Sequence, residues 1–184
     1  GAALEAAGLH IPGAPRATAS GVATVVRLEG ARFIVSAPLS EALGLWDKFV
    51  ASGAVPAGTA AWQWADITQG QPTVTQPVQE EFVAQMLNFD LIGGVSFNKG
   101  CYPGQEIVAR THYLGKLKKR MFRVHVDVAE APAPGTDVFS PEFGEQSAGK
   151  VVMAAPAPGA GFDALIVLQT SSADSTEEIG RAHV

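Results

Sequence analysis

The chain reads as an α+β protein with a small C-terminal β-barrel, and three observations lead there. Apolar residues recur at helical spacing after Ser40, and a second helix is signalled after Pro103. Beyond residue 115 the pattern changes to period-two alternation, with Phe122, Val124, Val126 and Val128 set against Arg123, His125 and Asp127. The later apolar segments are short and lie between loops rich in Pro, Ala and Gly, as in small barrels. With 184 residues, the chain can hold one large domain or two small ones. The best division falls near residue 115, giving 1–115 and 116–184.

Taken in order, residues 2–7 read as the last turns of a helix closed by Gly8. So short an opening helix, with no initiator Met before it, suggests a chain that begins inside a larger protein. Residues 23–28 and 32–35 read as strands joined by a tight turn at Glu29, Gly30 and Ala31. Ser40 can cap a helix running to about Ala51, with Leu39, Leu43, Trp46, Phe49 and Val50 as its apolar face and Gly53 after its end. Trp62 and Trp64 alternate, so residues 59–66 are expected to form a strand that points both indoles to one face. That pair could stack on a flat ring, but packing against the preceding helix is the readier use of two indoles. Residues 79–87 suggest a short helix with Phe82, Val83 and Met86 inward, and residues 88–94 a loop. Later strands are expected at 122–128, 137–139, 149–153 and 164–169, before a polar stretch at 171–178.

Composition restricts the function classes. No run of 18 apolar residues could span a bilayer, and no basic, apolar leader opens the chain. One cysteine excludes an internal disulfide and fits a reducing compartment. The expectation is a soluble, cytoplasmic protein without a membrane partner. The net charge is −5, yet residues 99–123 alone carry +6, leaving −11 for the rest. Such a window would draw in a carboxylate or phosphate, or it could be a strand edge kept from aggregating by its lysines. Stacking aromatics are not interleaved with these charges, so no stable contact with nucleic acid is expected. His10, His112, His125 and His183 lack metal-ligand spacing, and one thiol cannot hold a cluster, so no stably bound metal is expected. Phosphate-loop and Ser/His/Asp signatures are missing as well.

The most informative stretch is 98–110, Asn-Lys-Gly-Cys-Tyr-Pro-Gly-Gln-Glu-Ile-Val-Ala-Arg. A lone cysteine is most often a small buried hydrophobe, but these glycine-rich, charged surroundings build no core face. Lys99 and a helix N-terminus just beyond would both favour the Cys101 thiolate. Pro103 suits the first helical position, Gln105 and Glu106 the first turn, and Glu106 with Arg110 an i,i+4 pair. Gly100 and Gly104 allow a sharp turn or the close approach of a ligand.

This segment, with residues 91–97, 113–118 and 64–72, resembles the YgfZ family of folate-binding proteins, which is related to the glycine cleavage T-protein. The resemblance implies a partial T-protein-like α/β sandwich, with the N-terminal half absent, ahead of the β-barrel. It implies a protein that binds tetrahydrofolate and supports iron–sulfur cluster assembly or repair, and through it tRNA modification. Cys101 would then be the functional thiol and Lys99 its electrostatic partner. Gly100, Tyr102, Gly104, Gln105, Glu106 and Arg110 would form one wall of a folate pocket whose larger part lies in the missing half. Iron–sulfur client or assembly proteins would be the partners. The alternative is a folate-dependent aminomethyltransferase of the T-protein type, whose catalytic aspartate falls in that missing half.

Overall fold

The computed structural model describes residues 1–100, 103–115 and 117–173, leaving aside the side chains of residues 114, 142, 172 and 173. The chain divides into two compact units, residues 1–58 and residues 59 onward.

The first unit holds helix α1 (Ala2–Ala6), strands β1 (Thr18–Ser20), β2 (Thr24–Arg27) and β3 (Phe33–Ser36), and helix α2 (Leu39–Ala51). The strands form an antiparallel sheet in the order β1-β2-β3. The outer strand β1 was not expected, because Thr18–Ser20 is too short and polar to carry a period. Gly8 closes α1 with a six-to-one bond from Leu9 N–H to Leu4 O and a five-to-two bond from Gly8 N–H to Glu5 O. Gly53 closes α2 in the same way, with φ of 88° that suits glycine alone.

The apolar face of α2 differs from the expected one. Leu45 is buried against Val25, Leu4 and Leu9, with Phe49 packed beside it. Leu39, Leu43, Trp46 and Val50 are exposed, the first two at 88% and 76%. The helix is apolar on two sides, so spacing alone could not choose between them. Its N-cap is Pro38, and Ser40 lies inside the first turn rather than capping it.

The second unit opens with helix α3 (Thr59–Thr68) where a strand was expected. Ala60, Ala61 and Ala65 are strong helix formers, and they override the alternation of the two tryptophans. Two residues apart on a helix, the indoles diverge: Trp64 packs on the core while Trp62 is 40% exposed. Residues 71–94 form successive turns around a short 3-10 segment, Gln76–Val78, and the helix expected at 79–87 is not formed. Phe82 and Met86 nevertheless pack inward as expected, while Val83 is half-buried.

Helix α4 (Gln105–Leu114) leads to strands β4 (Lys119–Val126), β5 (Asp137–Phe139), β6 (Ser147–Pro156) and β7 (Phe162–Gln169), then a helical turn α5 (Thr170–Ala173). The four strands make one antiparallel sheet in the order β4-β7-β6-β5. Among the described residues β4 and β5 remain its two edges, so the expected barrel is corrected to an open sheet. Strand positions fit the expectation because apolar runs bounded by breakers mark strands whether or not the sheet closes. Both faces of the sheet are apolar, which is why β6 and β7 read as continuous rather than alternating runs. One face carries Val151, Ala164, Ile166 and Leu168. The other carries Met121, Val152, Leu165 and Val167, and packs with Ile67 of α3, Leu87 and Phe82. Residues on either side of position 115 thus share a core.

Polar contacts fix this cover to the sheet. Arg120 on β4 donates to Asp90 through two nitrogens, Nη1 to Oδ1 at 2.8 Å and Nη2 to Oδ2 at 2.9 Å. Its Nη1 also reaches the Gln85 carbonyl and Asn88 Oδ1, both at 3.1 Å. Asn88, held at φ 59°, donates Nδ2 to the Met121 carbonyl at 2.8 Å. The fork of guanidinium on carboxylate is the geometry that makes such pairs strong. Its hydrogen bonds hold the Asp90 carboxyl below the usual range, against the opposing effect of partial burial. A second clamp joins α3 to β7, where Trp64 Nε1 donates to Asp163 Oδ2 and His125 Nδ1 meets Oδ1, each at 2.8 Å. Burial pushes the Asp163 carboxyl up, but the bonds from His125 and Trp64 prevail and its pKa is lowered.

Arg120→Met should lower the unfolding free energy by about 2–3 kcal/mol, because it leaves hydrogen-bonded acceptors without their donor. Urea unfolding measures this, and a shift inside ~0.5 kcal/mol would place the pair among ordinary surface contacts. Both carboxylates have depressed folded pKa values, so their stabilisation is present above the unfolded value of about 4 and is lost as pH falls through the lower folded values. Asp90→Asn should be less stable at neutral pH yet show a shallower loss below about pH 4. Parallel acid limbs for the two proteins would contradict the assignment.

Candidate functional site

The segment 98–110 enters and leaves through fixed points. At its entrance Phe97 stacks on His112, with ring centroids 3.8 Å apart and planes 18° from parallel. Tyr113 meets both rings edge-on, at 6.3 Å from Phe97 and 4.8 Å from His112. At its exit α4 begins at Gln105, with Gly104 as N-cap at φ 82° and ψ −6°. A side chain at this left-handed position would be strained, so glycine is required here. The cap also corrects Pro103, which stands before the helix instead of at its first position. Between Gln105 and His112 the helix rises about 10 Å. Phe97, through His112, and Gly104, as N-cap, therefore meet α4 at two points along its length.

Helix α4 is held without being buried. Of its side chains that are described, none is buried, and Ile107 and Tyr113 are exposed at 60% and 68%. Its backbone is gripped from outside the helix where Gln85 Nε2 donates to the Val108 carbonyl at 2.6 Å. Gln85 is 2% exposed and its own carbonyl accepts from Arg120, so the polar bracket on β4 reaches the signature helix.

The expected site residues divide as follows. Lys99, Gly100, Gly104, Glu106 and Arg110 are exposed, and Gln105 is half-buried. Glu106 lies in the first turn, where its charge suits the positive helix end. As both it and Arg110 face solvent, an i,i+4 pair between them would add little. A side chain built at Gly100 or Gly104 would meet nothing within 4 Å, so the backbone is open to approach at both. Cys101 and Tyr102 lie outside the described residues, as does Lys116 of the basic window. His112 is exposed but stacked on Phe97.

The basic window does not act as one patch. Lys99, Arg110, Lys118 and Arg123 are exposed, while Arg120 turns inward to Asp90. Its β4 members lie on an edge strand, where charge blocks sheet-to-sheet pairing. Among the described residues no three His, Cys, Asp or Glu side chains are grouped to hold a metal ion. Nor is any helix among them long and apolar enough to cross a membrane. Sequence reasoning missed Gln85, Asn88 and Asp90, whose bonds to Arg120 run across 30 to 35 positions. The available signal was Gln85 itself, a polar residue set directly before Met86 and Leu87.

No family model matches the chain. It is similar to the tRNA-modifying protein YgfZ of Colwellia psychrerythraea, 44% identical over 86 residues, which are 47% of this chain and 26% of that protein. The YgfZ of Cronobacter sakazakii is 35% identical over 111 residues, 60% of this chain and 33% of that one. A chloroplastic protein of Arabidopsis thaliana, named as a candidate transferase, is 31% identical over 125 residues, 68% of this chain and 28% of that one. The chain thus matches only about a quarter to a third of the length of these curated relatives. Over as much as 60% of its own length, the chain is a relative of the YgfZ proteins.

Proposed function

We propose that this chain is part of a tetrahydrofolate-binding protein that supports iron–sulfur cluster assembly or repair and, through it, tRNA modification. The observation that carries the reading is the kinship with proteins named for tRNA modification, at 35% and 44% identity. The exposure of Lys99, Gly100, Gly104, Glu106 and Arg110 supports a working surface at the signature rather than a core element. The donor set fits a folate. Open backbone at Gly100 and Gly104 would admit a flat ring, the Gln105 amide and Glu106 carboxylate could pair with its polar edge, and Lys99 and Arg110 suit an anionic tail. When bound, tetrahydrofolate supplies one-carbon carrying capacity. The chain's own part is to form one wall, orient the ring and keep the Cys101 thiol ionised beside Lys99. The cluster or its client would be cargo in a cytoplasmic, reducing setting.

An aminomethyltransferase of the T-protein type is the second reading. The relative from Arabidopsis named as a candidate transferase favours it. Tests of Cys101 separate the two, because only the first reading needs a thiol.

In the full-length protein, Lys99→Ala and Cys101→Ala should each lose tRNA-modification support while unfolding free energy stays within about ±0.5 kcal/mol. A large drop in the urea midpoint would make either residue structural. Alkylation of Cys101 should show a half-point below about 8.5, the value of a free thiol; a half-point at or above it would remove the thiolate role.

This chain alone should bind tetrahydrofolate far more weakly than the full-length protein, since it offers one wall and few convergent polar groups. What remains should fade as salt rises, because exposed cations would supply most of it. Calorimetry at two salt concentrations reads both effects. Tight, salt-insensitive binding to the chain would place the pocket wholly within it.

A further inference from the structure

A cavity of about 330 Å³ opens on the sheet face that carries Met121 and Val167, and no part of the signature segment lines it. Pairing fixes what stands on that face. Met121 is opposite Val167, Val167 opposite Lys150, and Lys150 opposite Asp137, while Lys119 lies two residues along β4 from Met121. Period two therefore sends Lys119, Val167, Lys150 and Asp137 to one side. With strands about 4.8 Å apart and residues about 3.4 Å apart, Lys119 is about 8 Å from Val167, about 12 Å from Lys150 and about 16 Å from Asp137, between Cα atoms.

The two sides of the cavity differ in what they can still bind. Away from β4, Lys150 Nζ donates to Glu81 Oε2 at 2.8 Å, and Ser147 Oγ donates to Asp137 Oδ1 at 3.1 Å. The Glu81 bond, with a smaller contribution from the charge of Asp137, raises the Lys150 pKa. That ammonium is already committed, and two carboxylates against it leave this side negative. Lys119 on the β4 side is half-buried and has no ion-pair partner among the described residues. An anion is therefore directed to Lys119, and it gains more there than beside a lysine in open water. Phe82 and Met86, packed on the core cluster, and Val167 supply the apolar surface of the cavity. The volume lies at the lower end of the range for small-molecule sites.

We propose that this cavity binds small aromatic monocarboxylates, with the carboxylate on Lys119 and the ring against Phe82, Met86 and Val167. A single ammonium matches a single negative charge, whereas a phosphate group would bring nearly two. The Met86 sulfur and the Phe82 ring both favour an aromatic neighbour. Because Lys119 is offset from Val167 by one strand and two residues, a short flexible arm between ring and carboxylate lets both ends reach their partners.

A proton–nitrogen NMR titration of the 184-residue chain with 3-phenylpropanoate tests this. The acid should bind saturably with a Kd of about 1 mM, moving the amide signals of Lys119, Lys150 and Val167 but not those of α4. The neutral 3-phenylpropanamide and the ring-free propanoate should each bind at least about fivefold more weakly. In Lys119→Met the acid should lose its advantage over the amide, since the substitution keeps an unbranched apolar side chain and removes the charge. No saturation by about 10 mM, an acid that binds no more tightly than either comparison compound, or shifts centred outside the cavity would overturn the proposal. If Lys119→Met fails to fold, the three ligands on the unaltered chain decide the question alone.

Discussion

The Arg120–Asp90 fork is the contact on which the second unit's arrangement depends. Turns have no ladder of their own, so residues 71–94 must be fixed by side chains. Arg120 does this from β4 by holding Asp90 with two bonds while reaching Asn88 and the Gln85 carbonyl. Gln85 then passes the restraint to Val108 of α4. The exposed signature helix has no buried face among its described side chains, so this polar route substitutes for a core contact. An apolar pair at 90 and 120 could fill the space, but it could not satisfy the Gln85 carbonyl and Asn88 Oδ1, which the guanidinium now serves.

This arrangement also separates two roles within one basic run. Arg120 is committed to structure, and its neighbours Lys118 and Arg123 stay at the surface of an edge strand. Lys99 and Arg110 belong to the signature itself. Summed charge over residues 99–123 therefore overstates what a ligand at the signature would feel, because part of it is neutralised by Asp90 and part faces elsewhere along β4.

Much of the architecture was legible in local pattern. Asp137–Phe139 falls where breaker-bounded apolar residues placed it, and the glycines after α1 and α2 mark helix ends. The helix after the signature was likewise visible from its first-turn residues, although its start was set by Gly104 rather than Pro103. Failures came where two physical signals competed. At Trp62 and Trp64 alternation suggested a strand, while three alanines favoured the helix that forms. On α2 apolar residues line two sides, and only the packed structure shows that Leu45, not Leu43, meets the core. Sheet closure was not legible either, since strand content is the same in an open sheet and a barrel. The Gln85–Arg120 bracket left only the trace of a glutamine set before Met86 and Leu87, because it spans loops with no periodic signature.

Native-state hydrogen exchange on Gln85→Leu tests the central claim most directly, namely that a polar bracket holds the signature helix on the sheet. Removing the amide takes the side-chain donor from the Val108 carbonyl while a leucine of similar size fills the buried position. The amides of α4 should lose protection while those of β6 and β7 keep theirs, because local opening and global unfolding are separate events. Unchanged protection in α4 would contradict the account, and so would an equal loss across both strands.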